Sequence, residues 1–334
     1  MCTNISIPRK SKKGGIVSAR TMDWTLKLNS IVNFVPRGQS FPEANLPGDE
    51  MKWKNKYGFV GAGDPIEDFI FYSDGLNEHG LSVAGLWLSC SKYPIPRPGT
   101  PILYNSNFVP YLLGNYKNTH EVKAALADLT VINISELYPS AYALLHYIIS
   151  DASGNHLIVE FTEGEMKIYP SKLGVLTNEP TYPWHLVNQE LYQHLSLENN
   201  AQTSCGSELY GSGQLGIPGD PTPQSRFARS AFLQKTTFRP ANTKQSIGLA
   251  RQILQTLTVP SGTVYNMGSS TIYDWTQWCV YRDHTNRSYY FNTDFNSKLY
   301  GIHLTQLNLD ASEQSRIQIE RPAWYEDITK AFNA

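Results

Sequence analysis

Alternating polar and apolar positions along the chain predict a protein built mainly from paired β-strands. Residues 2–7 (CTNISI) alternate with a period of two, residues 8–15 form a basic turn, and the alternation resumes over residues 16–20. Strands joined in this way lie antiparallel within a sheet. A polar turn between two apolar-rich stretches predicts three further hairpins, at 69–73 with 81–88, 142–150 with 156–161, and 276–282 with 288–292.

Helical periodicity is confined to four separate stretches, 121–129, 184–197, 226–234 and 243–257. Thr119 is the predicted N-cap of the first stretch, with Glu121 in its first turn. Hairpins with grouped helices favour an α+β fold in which helices cover antiparallel sheets. No linker divides the chain, so we expect one domain over residues 1–334. A loop rich in Gly, Ser, Asn and Pro near 198–224 is expected to serve binding or assembly.

The composition argues against nucleic acid and membranes as partners and favours a small apolar molecule or self-association. The chain has 334 residues, with 28 Lys and Arg against 29 Asp and Glu. We therefore expect no nucleic acid and no membrane partner, because both select for basic surfaces. No apolar run approaches the roughly 18 residues of a membrane-spanning helix. The 20 Tyr, 13 Phe and 7 Trp residues indicate a sheet-rich protein that binds a small apolar molecule or self-associates.

The four cysteines, Cys2, Cys90, Cys205 and Cys279, stand far apart in the sequence. They form no C-x-x-C pair, and the histidines show no H-E-x-x-H spacing, so we expect neither a metal nor another cofactor. Three of the four cysteines are predicted to be small buried hydrophobic residues. Cys2 differs from the others because it directly follows Met1.

The first hairpin brings charged residues close to Cys2. A register that pairs Cys2 with Thr21 puts Arg20 and Asp23 within one or two residues of it. Strict alternation would place Arg20 and Asp23 on opposite faces, so the strand has to bend or end near Thr21 for both to reach Cys2. A neighbouring guanidinium eases ionisation of a thiol, and a carboxylate can orient an ammonium group.

Removal of Met1 would give Cys2 a free α-amine, whose ordinary pKa is roughly 7.7–8.0. Near neutral pH much of this amine is unprotonated and can act as the general base for the thiol of the same residue. A histidine is then unnecessary. The sequence thus predicts an N-terminal nucleophile that carries its own base.

Eight further motifs occur in order along the chain. They are 1–3 (MCT), 18–24 (SARTMDW), 74–81 (DGLNEHGL), 84–87 (AGLW), 174–180 (GVLTNEP), 184–185 (WH), 216–220 (GIPGD) and 225–227 (SRF). Together they resemble the choloylglycine hydrolase family, which includes conjugated bile acid hydrolases and penicillin V acylases. The resemblance implies a four-layer αββα sandwich with the N-terminal nucleophile hydrolase fold, a homotetramer, and hydrolysis of a small-molecule amide.

The resemblance also implies roles for individual residues. Trp87 would donate to the oxyanion through its backbone N–H, and with Trp24 it would line the substrate pocket. Five other residues would be catalytic: Cys2 as nucleophile and base, Arg20 and Asp23 as the groups that hold and tune it, Asn178 as an oxyanion donor, and Arg226 as a support of the site.

Trp87 distinguishes this chain from the best-known members of the family. Bile acid hydrolases usually carry Asn at this position and Gram-positive penicillin V acylases carry Tyr, whereas paired tryptophans, here Trp24 and Trp87, resemble the Gram-negative penicillin V acylases. Two indole rings can hold a phenoxy ring or line an acyl channel. We therefore expect penicillin V and aromatic amides as substrates first, acyl homoserine lactones next, and conjugated bile acids third.

Two alternatives of another class remain open from the sequence. The chain could be a periplasmic lipoprotein that is acylated at Cys2 and binds ligands in an aromatic groove, or a catalytically dead relative that serves as a binding module. The first residues lack the apolar core of a signal peptide. The location is accordingly the cytoplasm if Met1 is the native start, and the bacterial periplasm if Met1 replaces a removed signal peptide.

Overall fold

Two antiparallel sheets lie face to face in the computed structural model, which describes residues 1–8, 15–43, 50–96, 98–136, 139 and 143–332. The strands are β1 (Cys2–Ile7), β2 (Val17–Trp24), β3 (Ile31–Val35), β4 (Ser40–Phe41), β5 (Trp53–Lys54), β6 (Phe59–Ile66), β7 (Phe69–Asn77), β8 (Ser82–Trp87), β9 (Ile102–Tyr104), β10 (Thr130–Ile132), β11 (Leu145–Ser150), β12 (His156–Thr162), β13 (Glu165–Ser171), β14 (Val264–Tyr265), β15 (Tyr273–Asp283), β16 (Ser288–Thr293), β17 (Asn296–His303) and β18 (Ser315–Gln318). The helices are α1 (Phe108–Asn115), α2 (Thr119–Leu126), α3 (Tyr182–Gln189), α4 (Pro223–Thr236) and α5 (Thr243–Gln255).

The order of strands in each sheet explains how distant segments meet. One sheet has the order β1-β2-β15-β16-β17, with β14 paired to β15, and the other has the order β13-β12-β11-β8-β7-β6-β3-β18. The N-terminal hairpin therefore pairs with a strand more than 250 residues later in the chain. A short connection joins the two strands in eight of the twelve neighbouring pairs of these sheets. The four exceptions are β2 with β15, β8 with β11, β3 with β6, and β3 with β18.

Alternation along the strands separates three apolar cores. On β15, Trp278 and Val280 face the other sheet, whereas Cys279 and Tyr281 face α5. The opposite face of the larger sheet packs on α1 and α2. This arrangement confirms the predicted α+β fold with two sheets between layers of helices. No helix within the described residues is long and apolar enough to cross a membrane.

The first hairpin forms, but its predicted register is wrong by one residue. Cys2 pairs with Met22, and Ile7 pairs with Val17. The backbone of Ile16 is bonded elsewhere: its N–H donates to the Thr285 hydroxyl at 2.9 Å and its carbonyl accepts from the His284 N–H at 2.9 Å. Ile16 is thus drawn into the β15–β16 turn. Most of the predicted basic turn, residues 9–14, and residue 142 of the third hairpin lie outside the described residues.

Most helix boundaries differ from the predictions, and one helix was missed. The N-cap of α2 is Asn118, whose side chain accepts from the Glu121 N–H, whereas the Thr119 hydroxyl donates to Asp151 at 2.7 Å. The helix predicted at 184–197 is α3, which ends at Gln189. Every residue of α1 is buried, so that it lacks the amphipathic periodicity by which a surface helix is recognised.

Candidate active site

Cys2 is the first residue of β1 and lies between the two sheets, with 3% of its surface exposed. Because Arg20 pairs with Asn4, it is a diagonal neighbour of Cys2 on the same face of the sheet. Its Nη2 lies 3.1 Å from the Cys2 Sγ. The structure therefore brings together the thiol and the guanidinium that the sequence placed near each other.

A bulge in β7 helps to hold Arg20. Ala62 pairs with Asp74 and Gly63 with Tyr72, which leaves Ser73 as the extra residue. The Ser73 carbonyl accepts from the Arg20 Nη1 at 2.8 Å. On another side, the guanidinium carbon lies 5.1 Å from the centroid of the Trp278 ring. Arg20 is fully buried and so has little freedom to leave the thiol.

Asp74 and Arg282 complete a buried charge network around Arg20. An Asp74 carboxylate oxygen lies 2.8 Å from the Arg282 Nη2 and 3.8 Å from the Arg20 Nη1, and Tyr289 donates to the other oxygen at 2.9 Å. Burial raises the pKa of Asp74, while both guanidinium groups oppose that effect. Two buried cations share this one carboxylate. Part of the positive charge of Arg20 therefore remains for the Cys2 sulfur, which lies 3.1 Å away.

Arg20 itself responds to these neighbours. Burial works to lower the pKa of its guanidinium, but the negative charges of Cys2 and Asp74 outweigh it, and the pKa is raised. The sequence contained a signal for Asp74, which begins the motif at 74–81. Arg282 carried a weaker one, as the single Lys or Arg residue of β15. Neither residue was assigned a role from the sequence.

We expect Asp74→Asn to destabilise the fold strongly. It leaves the two buried cations, Arg20 and Arg282, without their carboxylate, and breaking a buried ion pair in this way costs roughly 3–5 kcal/mol. Chemical denaturation would measure the loss. Asp310→Asn is the matched control, since its ion pair with Arg37 is exposed at the surface and should contribute about 1 kcal/mol or less. Equal losses in both variants would contradict the role of the network.

Hydroxyl groups hold the Asp23 carboxylate, and among the described residues it forms no hydrogen bond with Cys2. β2 does not end near Thr21, since it stays paired with β15 as far as Trp24, but the pairing is irregular opposite Met22 and Asp23, where Gln277 of β15 is an extra residue. The Asp23 carboxylate accepts from the Thr21 hydroxyl at 3.1 Å and from the Thr276 hydroxyl at 2.6 Å. Its main chain instead contacts the residue before Cys2: the Met1 nitrogen donates to the Asp23 carbonyl at 2.8 Å, and the Asp23 N–H donates to the Met1 carbonyl at 3.1 Å.

A short extended segment brings Asn178 next to Cys2. Asn4 and Leu176 form an isolated antiparallel bridge, which aligns residues 174–178 with β1. The Asn178 Oδ1 accepts from the Cys2 backbone nitrogen at 2.8 Å, and its Nδ2 donates to the Trp87 carbonyl at 2.8 Å. Because an amide nitrogen carries two hydrogens, one N–H beyond that bond can serve an oxyanion.

Arg226 joins β1 to the segment that contains Asn178. It lies in the first turns of α4, which the Thr222 side chain caps, and it is fully buried. Its Nη1 donates to the Cys2 carbonyl and to the Thr3 hydroxyl, and its Nη2 donates to the Asn178 Oδ1 at 2.7 Å. Burial lowers the pKa of Arg226. The side chain thus positions two groups of the site at once.

His185 is a further contact that the sequence did not assign. Its Nε2 donates to the Asn178 carbonyl at 2.9 Å, and its ring stacks on Phe227 with centroids 4.6 Å apart. Burial lowers the pKa of His185 to about 4, so the ring is neutral near pH 7. It belongs to the motif at 184–185 and fixes the main chain behind the amide side chain.

A cleft of about 190 Å³ opens beside Cys2. The rings of Trp24 and Trp87 lie in its wall with centroids 5.3 Å apart. Apolar side chains form most of the remaining wall, with one carboxylate, Asp64, among them. The cleft can therefore hold a compact apolar group next to the thiol.

The other cysteines correct one prediction. Cys279 is buried, and burial raises its pKa to about 12, but Cys90 and Cys205 are exposed. Both lie in loops, next to Ser or Gly, where no apolar face is available to cover them. In the part of the chain that the structure describes, no three His, Cys, Asp or Glu side chains converge as metal ligands.

Comparisons of sequence and structure show which known proteins this chain resembles. A bile salt hydrolase/transferase from Clostridium perfringens is 32% identical and covers 94% of this chain and 95% of its own length. A penicillin V acylase from Pectobacterium atrosepticum is 25% identical, over 87% of this chain and 78% of its own length. The crystal structure of a conjugated bile acid hydrolase variant from C. perfringens has a TM-score of 0.83 at 29% identity, covering 96% of this chain and 97% of that one.

A penicillin V acylase from Agrobacterium tumefaciens shares the fold, with a TM-score of 0.78 at 24% identity over 95% of this chain and 91% of that one. The family model of linear amide C–N hydrolases of the choloylglycine hydrolase type matches residues 2–316, which include Cys2, Arg20, Asn178 and Arg226. The chain therefore belongs to the choloylglycine hydrolase family and is a linear amide C–N hydrolase.

Proposed function

We propose that the protein hydrolyses the amide of small molecules with an aromatic acyl group, of which penicillin V is the first candidate, through a thioester on Cys2. The observation that supports this substrate class is the pair of indole rings, Trp24 and Trp87, in the wall of the cleft beside the thiol. Offset or tilted aromatic contacts with a bound ring add about 0.5–1.5 kcal/mol beyond the burial of its surface.

In the proposed acylation, the α-amine of Cys2, freed by removal of Met1, takes the thiol proton. Arg20 stabilises the resulting thiolate. Sulfur attacks the amide carbon, and the oxyanion accepts hydrogen bonds from the Asn178 Nδ2 and from the Trp87 backbone N–H. Collapse breaks the C–N bond, the leaving amine takes the proton from the α-ammonium, and a thioester remains.

Deacylation repeats these roles with water as the nucleophile. The Cys2 α-amine takes a proton from water as its oxygen attacks the thioester carbon, and the same donors hold the second oxyanion. Collapse breaks the C–S bond, which releases the carboxylic acid and returns the thiolate. Arg226 keeps Asn178 and the Cys2 carbonyl in place throughout.

Conjugated bile acids, ranked third from the sequence, move ahead of acyl homoserine lactones to become the second candidate substrate. The reason is that the bile salt hydrolase/transferase is more similar in sequence than the penicillin V acylase, at 32% against 25% identity. Acyl homoserine lactones would use the same apolar cleft. The buried thiol favours all of these over a lipoprotein acylated at Cys2, whose sulfur would have to be accessible. A catalytically dead binding module would retain the cleft but release no acid.

A competition assay read by mass spectrometry tests the substrate class. Enzyme without Met1 would receive penicillin V, a long-chain acyl homoserine lactone and a taurine-conjugated bile acid together, and we expect penicillin V to be consumed first. Trp87→Asn should lower kcat/KM for penicillin V by about tenfold through loss of the ring contact, with a smaller effect on the bile conjugate. Trp324→Asn, at an exposed ring, is the control. An equal loss on both substrates would remove Trp87 from the specificity argument.

We also propose that the protein assembles as a homotetramer. Support comes from the segment that runs from α3 into the loop at 198–224, where large apolar side chains are exposed instead of buried. These are Trp184, Leu186, Val187, Leu191, Leu197, Leu209, Tyr210 and Leu215. Exposed apolar groups concentrated in one segment are typical of a contact between subunits.

A further inference from the structure

The cleft beside Cys2 contains a carboxylate, Asp64, on a face of β6 whose preceding residues are apolar. Val60 and Ala62 on β6 face the core between the sheets, and Asp64 continues the same row two residues later. Asp64 is half-buried and lines the cleft together with Cys2 and Trp24. Its position follows from the regular alternation of β6 and not from a loop.

Buried neighbours hold this carboxylate in place. The Ser30 hydroxyl donates to the Asp64 Oδ1 at 3.0 Å, and the same hydroxyl oxygen accepts from the Trp278 Nε1 at 2.9 Å. The indole N–H can only donate, so the serine proton is directed to Asp64. In the described part of the chain, no Lys, Arg or His forms an ion pair with Asp64.

Burial is the main influence on the charge of Asp64 and raises its pKa to about 6. The hydrogen bond from Ser30 and the positive charge of Arg20 oppose the effect of burial. The group is thus an anion above pH 6, in a cleft with mostly apolar walls. An apolar acyl group that covers it would remove water from the carboxylate and offer no replacement hydrogen bond.

We propose that Asp64 is a hydrogen-bond subsite of the acyl cleft, which selects acyl groups with a hydroxyl or ammonium donor over acyl groups that are wholly apolar. The inference rests on the proposed function, in which this cleft holds the acyl group. A hydrogen bond to a charged group contributes about 1.5–3 kcal/mol. An acyl group without a donor leaves the Asp64 carboxylate unpaired, so the site discriminates against it. The preferred substrates would combine an apolar body with a polar end.

Matched pairs of substrates test this subsite. Amides of one amine would carry phenoxyacetyl, 4-hydroxyphenoxyacetyl or 4-aminomethylphenoxyacetyl groups, with decanoyl and 10-hydroxydecanoyl groups for longer reach. At pH 8 we expect wild-type kcat/KM to favour the donor by roughly 10- to 100-fold in at least one pair. Asp64→Leu should abolish the preference. Asp64→Asn should abolish it for the ammonium and retain part of it for the hydroxyl, which separates the two donors.

Two controls keep the outcomes distinct. Asp68→Asn removes an exposed carboxylate that lies in the turn after β6, and it should leave every ratio unchanged. Below pH 6 the ammonium preference should fall as Asp64 takes up a proton. If the wild type cleaves both members of every pair with the same kcat/KM, the subsite is wrong while amide hydrolysis stands.

Binding to the inactive variant Cys2→Ala separates the subsite from catalysis. Calorimetry with the free acids of the same pairs should show the donor-bearing acid binding at least tenfold more tightly, and Asp64→Leu in this background should remove the difference. If no amide is cleaved but the acids still differ, the proposed function fails and the subsite stands. Equal affinities within every pair would overturn the subsite.

Discussion

Cys2→Ala is expected to abolish amide hydrolysis while leaving the fold intact. The substitution removes the sulfur that forms the thioester, and loss of a nucleophile acting together with its base lowers kcat by roughly 10⁴-fold or more. Little else depends on the thiol, since its hydrogen-bond contacts are those with Arg20 and with the sulfur of Met22. Release of acid from penicillin V would be measured alongside the unfolding midpoint.

Cys279→Ala is the matched control for this experiment. Cys279 is also a buried free cysteine of the same sheet, but it faces α5 and not the cleft. Its substitution should leave kcat unchanged and cost only the stability lost on removing a buried sulfur. Wild-type turnover in Cys2→Ala would contradict the thioester mechanism, and inactivity of Cys279→Ala would show that loss of activity does not report on the nucleophile.

The second large effect concerns Met1. Protein that retains a residue before Cys2 is expected to be inactive, because the Cys2 nitrogen is then part of a peptide bond and cannot act as a base. The Asn178 Oδ1 already accepts a hydrogen bond from this nitrogen at 2.8 Å, so the group is in position before it becomes an amine. An N-terminal extension cut by a site-specific protease directly before Cys2 allows the same sample to be assayed before and after cleavage.

We expect activity to appear only after the cut, by roughly 10³-fold or more, since general-base catalysis alone contributes 10²–10⁴-fold. An extension whose cleavage leaves one alanine before Cys2 controls for the protease and for the removed segment, and it should remain inactive. Intact mass confirms each N-terminus. Equal activity in the uncut sample would show that a free amine is not required.

Local patterns were sufficient to predict the hairpins and the nearness of Arg20 to Cys2, because both lie within the single hairpin of residues 2–24. They did not predict the shared face: the predicted register puts Asp23 on the face of Cys2 and Arg20 on the other, whereas the observed register does the reverse. The register could not be predicted in the same way, because Ile16 is bonded to the turn that contains Thr285. That turn belongs to the other end of the chain. The error of one residue thus came from a tertiary contact and not from strand propensity.

The rest of the site depends on similar long-range contacts. Asp74 and Arg282 are 208 positions apart, and only the packing of one sheet on the other makes them a pair. The bulge at Ser73 that aims a carbonyl at Arg20 leaves no pattern in the sequence. Asn178 and Arg226 were found because they lie in motifs that resemble the family, whereas their hydrogen bonds to Cys2 could be seen only in the structure.

The shared carboxylate of Asp74 affects the second half of the proposed cycle. Asp74 contacts both Arg282 and Arg20, so the sulfur of Cys2 is the second anion next to Arg20 whenever it is a thiolate. In the proposed acylation the sulfur becomes a neutral thioester and Arg20 loses that anion, while the α-ammonium gives its proton to the leaving amine. When water attacks, the departing sulfur regains its negative charge beside Arg20, and this contact makes thiolate a better leaving group.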